Sequence, residues 1–328
     1  MIKLCTPVEM PTHLPLIGYE DLMMMLGSCF SESLGKRLRQ AKFGCDVNPY
    51  GILYNPLSIC RAMNEIISGK LYQPQDLFFY RGCWHSAMHH GDFSHSRQEV
   101  TLALINNRLE LARSEIQSLK YLFVTFGSAW VYEKDGEIVG NCHKLPEREF
   151  VRRRLGVEEI VEEYCTVLHR LWQLHPQVQV IFTVSPIRHL RDGLHGNQLS
   201  KATLLLAIDR LQQEFKSQVY YFPAYEMLMD ELRDYRFYAE DLTHPAEVAV
   251  NIVWERFVQT FFGCKTQEQL AEVETVNKML QHRPLHESSE EYEDFVKKLL
   301  EKLDVLTEKY PGISWEKEKE LCCTRLGK

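Results

Sequence analysis

Five short apolar runs, each stopped by a turn-forming residue, constrain the fold of this chain more than any other feature. Leu22–Leu26 ends at Gly27, 43–47 at Asn48-Pro49, 121–126 at Gly127, 178–184 at Ser185-Pro186, and 218–222 at Pro223. Apolar runs of this length between breakers read as strands buried on both faces. Stretches with helical spacing separate them, at 57–68, 97–117, 157–174 and 198–216, and another follows at 245–262 with Pro245 in a first-turn position. A further helix opens at Ser31-Glu32-Ser33 and ends in the cations Lys36, Arg37 and Arg39, which suit the negative end of a helix dipole. Strands alternating with helices imply right-handed crossovers and a mostly parallel sheet of an α/β protein. The Asp135-Gly136 pair marks a hairpin within 131–139. Residues 72–95 are aromatic and histidine-rich with no clear period.

Composition narrows the partners. The chain has 328 residues, and its apolar share of 45% suffices for a large core without covalent or metal staples. A net charge of −7 argues against nucleic acid, which demands a basic surface. Ten cysteines occur without a C-x-x-C pair, a usage that fits reduced thiols. The start, from Met1 to Pro7, lacks an apolar signal core, and Leu22–Leu26 is too short to span a bilayer, so the expectation is a cytoplasmic protein with no membrane partner. Residues 265–328 turn Glu- and Lys-rich, with Phe295, Leu299, Leu300 and Leu303 at helical spacing. The expected organisation is a main domain over 1–264 and a helical extension over 265–328 packed on it. The oligomeric state is open.

Ser28 follows the first strand and precedes the first helix, the edge where open α/β sheets bind ligands. By itself it is more often a helix cap. Far along the chain stands Asp241-Leu242-Thr243-His244-Pro245. A serine needs a base to become a nucleophile, and the base needs an acid to orient it; Asp and His three positions apart can share one turn. The plain alternative is that Asp241 or Thr243 caps the following helix. Asn48, beyond the second strand, and Ser185, beyond the fourth, are expected on the same edge, bordering the substrate pocket. Cys29 is a rival nucleophile, disfavoured because adjacent side chains leave a tight turn in different directions.

Gly27-Ser28-Cys29-Phe30, Asn48-Pro49-Tyr50-Gly51, 125–132, Val139–Lys144, Val184–His189, Asp241–Pro245 and Gln281-His282-Arg283-Pro284 together resemble the GSCFA family of the SGNH hydrolase group, with Ser31 in place of the alanine of the family's name. The resemblance spans most of the chain. It implies a three-layer α/β/α, flavodoxin-like fold and ester hydrolysis, with Ser28 as nucleophile, His244 as base and Asp241 as its orienting acid. For the oxyanion hole it implies Gly51 and an asparagine. The usual G-x-N-D block is missing at Gly127-Ser128-Ala129-Trp130, and Asn141 is the substitute. Trp84, His85 and Gly127 are expected to border the substrate pocket. The histidines of 84–95 read as a loop at the mouth of the site, not as a metal centre, and no cofactor is expected. A short-chain acyl ester, acetyl for instance, of a carbohydrate or other alcohol is the expected substrate. An acyltransferase with the same triad, or a ligand-binding protein without turnover, are the alternatives.

Overall fold

A computed structural model describes residues 5–282 and 289–327. Arg283 and Pro284 of the family-like tail, and Met1 to Leu4 of the expected leader-free start, lie outside the described residues. The element order begins β1 (Leu22–Gly27), α1 (Cys29–Gln40), β2 (Cys45–Val47), α2 (Pro56–Ser68), β3 (Leu77–Tyr80), β4 (Cys83–Ser86) and α3 (Gln98–Ile116). It continues β5 (Leu119–Phe126), β6 (Trp130–Lys134), β7 (Glu137–Val139), β8 (Val151–Arg154), α4 (Val157–Leu174), β9 (Gln179–Val184) and α5 (Gly193–Glu214). Then come β10 (Val219–Tyr221), the single turn α6 (Ala224–Glu226), α7 (Glu247–Phe261), α8 (Cys264–Gln281), α9 (Glu290–Lys309) and α10 (Glu316–Arg325).

The five expected strands form one sheet in the order β10-β9-β5-β1-β2, every pair parallel. Successive side chains of a strand point to opposite faces, and here both faces are covered. Met24, Leu26, Leu122, Val124, Val180 and Phe182 meet Ile59 and Met63 of α2, Ile105 of α3, Leu168 of α4 and Leu204 and Ile208 of α5. The odd-numbered set, Met23, Met25, Tyr121, Phe123 and Ile181, meets Leu34 and Leu38 of α1 and Phe257 and Phe261 of α7. Val273 of α8, Leu299 and Leu303 of α9, and Trp315 join that second cluster. The architecture is therefore a three-layer α/β/α sandwich. Each such core side chain contributes about 1.5–3 kcal/mol by leaving water. Among the described residues, no helix is long and apolar enough to cross a membrane.

Local chemistry moved some boundaries. Helix α1 starts at Cys29 and not at Ser31, because Ser28 is its N-cap and accepts a hydrogen bond from the Phe30 N–H. Residues 72–95, without a clear period in sequence, hold the hairpin β3–β4. The expected hairpin at Asp135-Gly136 forms, with both residues at positive φ, and β8 adds a third antiparallel strand to it.

Gly27 closes β1 at φ +136°, and a Cβ there would stand 2.2 Å from the Thr125 carbonyl oxygen. Gly27→Ala is therefore expected to lose at least about 2 kcal/mol in urea unfolding, combining a disfavoured φ with a backbone clash. Gly44→Ala, where a Cβ meets nothing closer than Leu22 Cδ1 at 3.3 Å, is the control and should stay within about 1 kcal/mol.

Candidate active site

The turn after β1 is held from behind. Asn48, at φ +47°, accepts the Gly27 N–H on Oδ1 at 2.9 Å and donates from Nδ2 to Glu32 at 3.1 Å. Both ends of its carboxamide are spent, so Asn48 braces the turn and does not border the cavity. Ser28 follows, almost fully buried at 1% exposure, and opens onto a cavity of about 700 Å³ beyond the carboxyl ends of β1, β5 and β9. His244, Asn141 and Ser185 border the same cavity. Cys29 N–H occupies the first position of α1, where no intrahelical acceptor exists, and so is available to an anion. The Cys29 thiol also borders the cavity, and burial pushes it above its ordinary range, which works against a thiolate nucleophile.

The histidine loop is built by its aspartate. Asp241 Oδ1 accepts the N–H groups of Thr243 and His244, each at 2.9 Å, while Oδ2 meets His244 Nδ1 at 2.5 Å. A carboxylate can only accept, so Nδ1 carries the proton and Nε2 is left as the basic nitrogen. Those two backbone N–H groups first, and the imidazole after them, hold the Asp241 carboxyl well below the usual carboxylate range. The capping alternative for Asp241 thus turns out to be part of the arrangement, an Asx turn that fixes the histidine, whereas α7 itself begins later, with Ala246 as its N-cap. The loop is tied to the end of β9, because Arg188 N–H donates to the Thr243 carbonyl at 3.3 Å and its guanidinium to the Tyr238 hydroxyl at 3.3 Å. Among the described residues, no hydrogen bond joins Ser28 Oγ to His244.

Asn141 is presented by a loop that rests on the histidine-rich segment. The N–H groups of Gly140 and Asn141 both donate to the Ala87 carbonyl, at 2.8 and 3.0 Å, and Asn141 Oδ1 accepts the His143 N–H at 2.8 Å. Among the described residues, Nδ2 of Asn141 donates to nothing, so its amide faces the cavity unengaged. The far wall is aromatic and cationic: Tyr54, Trp130, Tyr132 and Phe150, with the Arg152 guanidinium 4.1 Å from the Trp130 ring and bidentate on Asp192.

Besides Asn48, four expected site residues stand elsewhere. Gly51 N–H is already given to the Asn48 carbonyl at 2.7 Å, so it is not a free oxyanion donor; its positive φ and lack of a side chain let His90 approach, since a Cβ would fall 2.2 Å from His90 Cβ. Trp84 and His85 lie on β4, away from the cavity. His85 bonds Ser94 Oγ at 2.7 Å and the Tyr80 carbonyl at 3.0 Å, and its ring packs 4.4 Å from that of His143, so this hairpin supports the Asn141 loop from behind instead of forming the mouth. Among the described residues, no cluster of histidine, cysteine, aspartate and glutamate could hold a metal ion. Gly127 sits under Tyr54 and contributes its carbonyl to the buried Lys201, not an N–H to the cavity. Lys201, His189 and Arg188 were missing from the expected site; only the Val184–His189 block marked the latter two.

A sequence model of the GSCFA family matches residues 22–257, and one for the family's C-terminal domain matches 273–327. No curated protein matches the chain. Among solved structures, a family two carbohydrate esterase from Clostridium thermocellum in complex with cellohexaose is 11% identical, with a TM-score of 0.36. An acetyl xylan esterase from the rumen bacterium Butyrivibrio proteoclasticus is 10% identical, with a TM-score of 0.37. Each alignment covers 74% of this chain and 64% of the other, so the chain spans just under two thirds of either one.

Burial, and then the charge of Lys201, push the His189 imidazole down to about 4. The unfolded imidazole protonates near its ordinary value of about 6.5, so as pH falls from there to about 4 the unfolded state binds a proton that the folded state refuses. Stability should decline across that window, and the decline between pH 7 and 4.5 should be about 2 kcal/mol smaller in His189→Gln by urea unfolding.

Proposed function

Because this chain belongs to the GSCFA family, we propose that it is a serine hydrolase of short-chain acyl esters, with a carbohydrate or a comparably large alcohol as the leaving group. One observation carries the reading: Ser28 and His244 border one cavity, and Asp241 fixes the tautomer that leaves His244 Nε2 basic. Ser28 Oγ attacks the acyl carbon and its proton passes to Nε2. The C–O bond of the alcohol breaks, and the alcohol leaves with that proton. Water, deprotonated by the same nitrogen, then cleaves the acyl–Ser28 ester and restores both groups. Bound substrate brings the serine and histidine into hydrogen-bonding reach, as catalytic contacts commonly tighten only in the complex.

The oxyanion that forms on the acyl oxygen is met by the Cys29 N–H at the start of α1 and by Asn141 Nδ2. Preorganised donors of this kind contribute about 3–4 kcal/mol each to the barrier. The aromatic wall of Tyr54, Trp130 and Tyr132 is suited to the flat faces of sugar rings.

Ser28→Ala is expected to cut kcat on p-nitrophenyl acetate by at least about 10³-fold and to abolish fluorophosphonate labelling, while Cys29→Ala remains labelled. Asn141→Ala should lower kcat by about 10²-fold with little change in KM, the signature of a contact made in the transition state. Labelling that survives in Ser28→Ala would sink the nucleophile assignment. A wild-type protein that binds acetylated sugars without turning them over would favour the ligand-binding alternative.

A further inference from the structure

Helix α5 carries a buried polar stripe where a core-facing helix ordinarily carries aliphatic residues. Asn197, Ser200 and Lys201 are 3%, 2% and 0% exposed, and their spacing sets them on one face. Each reaches a segment that borders the cavity. Asn197 Oδ1 accepts the His189 N–H at 3.0 Å, Ser200 Oγ accepts the Ala129 N–H at 2.8 Å, and Lys201 Nζ donates to the carbonyls of Gly127 and Ser185, both at 2.7 Å. A single helix face thus holds the chain as it leaves both β5 and β9.

Among these contacts the lysine is the costly one. Among the described residues, no carboxylate lies within ion-pair distance of Nζ, and an ammonium buried without a counter-charge is strongly penalised. The titratable groups that face it are the Cys29 thiol, the His189 imidazole and the Tyr225 ring, 5.7 Å away. A neutral amide can join two carbonyls equally well, so what the lysine adds is its charge. That charge favours the thiolate form of Cys29, so its field reaches the turn that carries Ser28.

We propose that Lys201 is a positioning residue of the hydrolytic site, whose ammonium fixes the Gly127 and Ser185 carbonyls and sets a buried positive charge behind the Ser28–Cys29 turn, favouring an anion there. The location rests on the ester-hydrolase reading; the charge effect does not. Burial pushes the Lys201 ammonium down to about 7, so the charge is present below that pH and lost above it. Hydrolysis, which needs the ammonium charged and the His244 base neutral, then acquires an alkaline limb near 7.

Two measurements on the wild type and on Lys201→Met decide it. Isothermal calorimetry with benzenesulfonate, a monoanion across the range, should show wild type binding at least about tenfold more tightly than Lys201→Met at about pH 6, with that advantage mostly gone at about pH 8.5. On p-nitrophenyl acetate, Lys201→Met should lose at least about tenfold in kcat, with KM moved less than about threefold, and should lack the alkaline limb. A variant that matches wild type in anion binding and pH profile overturns the proposal while the hydrolase reading stands. A wild type that binds benzenesulfonate through Lys201 but turns over no ester removes the hydrolase reading and keeps the charge assignment. Should Lys201→Met fail to fold, the Lys201 Cε resonance of labelled wild type is followed against pH. Its midpoint should rise when benzenesulfonate binds, and an unmoved midpoint overturns the proposal.

Discussion

The candidate site depends on one hydrogen bond behind it, from the Gly27 N–H to Asn48 Oδ1. It couples the ends of β1 and β2, the outer pair of the parallel sheet, and fixes the turn that delivers Ser28 to the cavity. The same asparagine reaches Glu32 on the first turn of α1, so the strand end, the turn and the helix start form one rigid unit. The oxygen of Ser28 caps the helix by accepting the Phe30 N–H, and the Cys29 N–H at the first helical position has no intrahelical acceptor.

The remaining site residues come from four segments held by three different supports. The Asn141 loop rests on Ala87 and on the tilted pair of His85 and His143 rings. Behind those, His89 is fully buried against Tyr50 and Tyr72, whose hydroxyls both donate to Glu65. The segments after β5 and β9 hang on the polar face of α5. The histidine loop is organised internally by Asp241 and anchored through Arg188. This last loop is exposed, with the His244 side chain 52% accessible and Leu242 held at φ +55°, a conformation that a bulky residue adopts only under local constraint.

Much of this was readable in the sequence, and the limits are physical. The five strands and most helices follow from period and punctuation, which are local. That Ser28 and His244 would border one cavity, with Asp241 beside the histidine, was expected because strand ends and short motifs are local too and the family blocks linked them. Gly51 was expected at the right place after β2, yet which acceptor takes its N–H depends on the φ of Asn48, which no pattern reveals. Trp84 and His85 looked like mouth residues because aromatic and histidine side chains suit a pocket equally well from either side of a loop. Lys201 was invisible for a different reason. A lysine in a helix reads as solvent-facing, and α5 begins at Gly193, ahead of the periodic stretch that begins at 198, so the polar stripe emerges only when the sheet ends are in place.

Consider finally the layer formed by α1, α7 and the C-terminal helices. Ile17 N–H binds the Phe261 carbonyl, Thr266 Oγ1 binds the Ile17 carbonyl, and Lys42 lies over the Trp315 ring and donates to the Ser314 carbonyl. The earliest residues of the described chain are therefore sealed by some of the latest. During synthesis, the odd-numbered face of β5 lacks Phe257 and Phe261 until α7 has been made, however soon the other face packs. Contacts so distant along the chain form slowly, and an open apolar sheet face is a natural client for a chaperone in the interval. Helix α1, which Ser28 caps, lies in this same layer, so its packing is complete only once the C-terminal helices have been made.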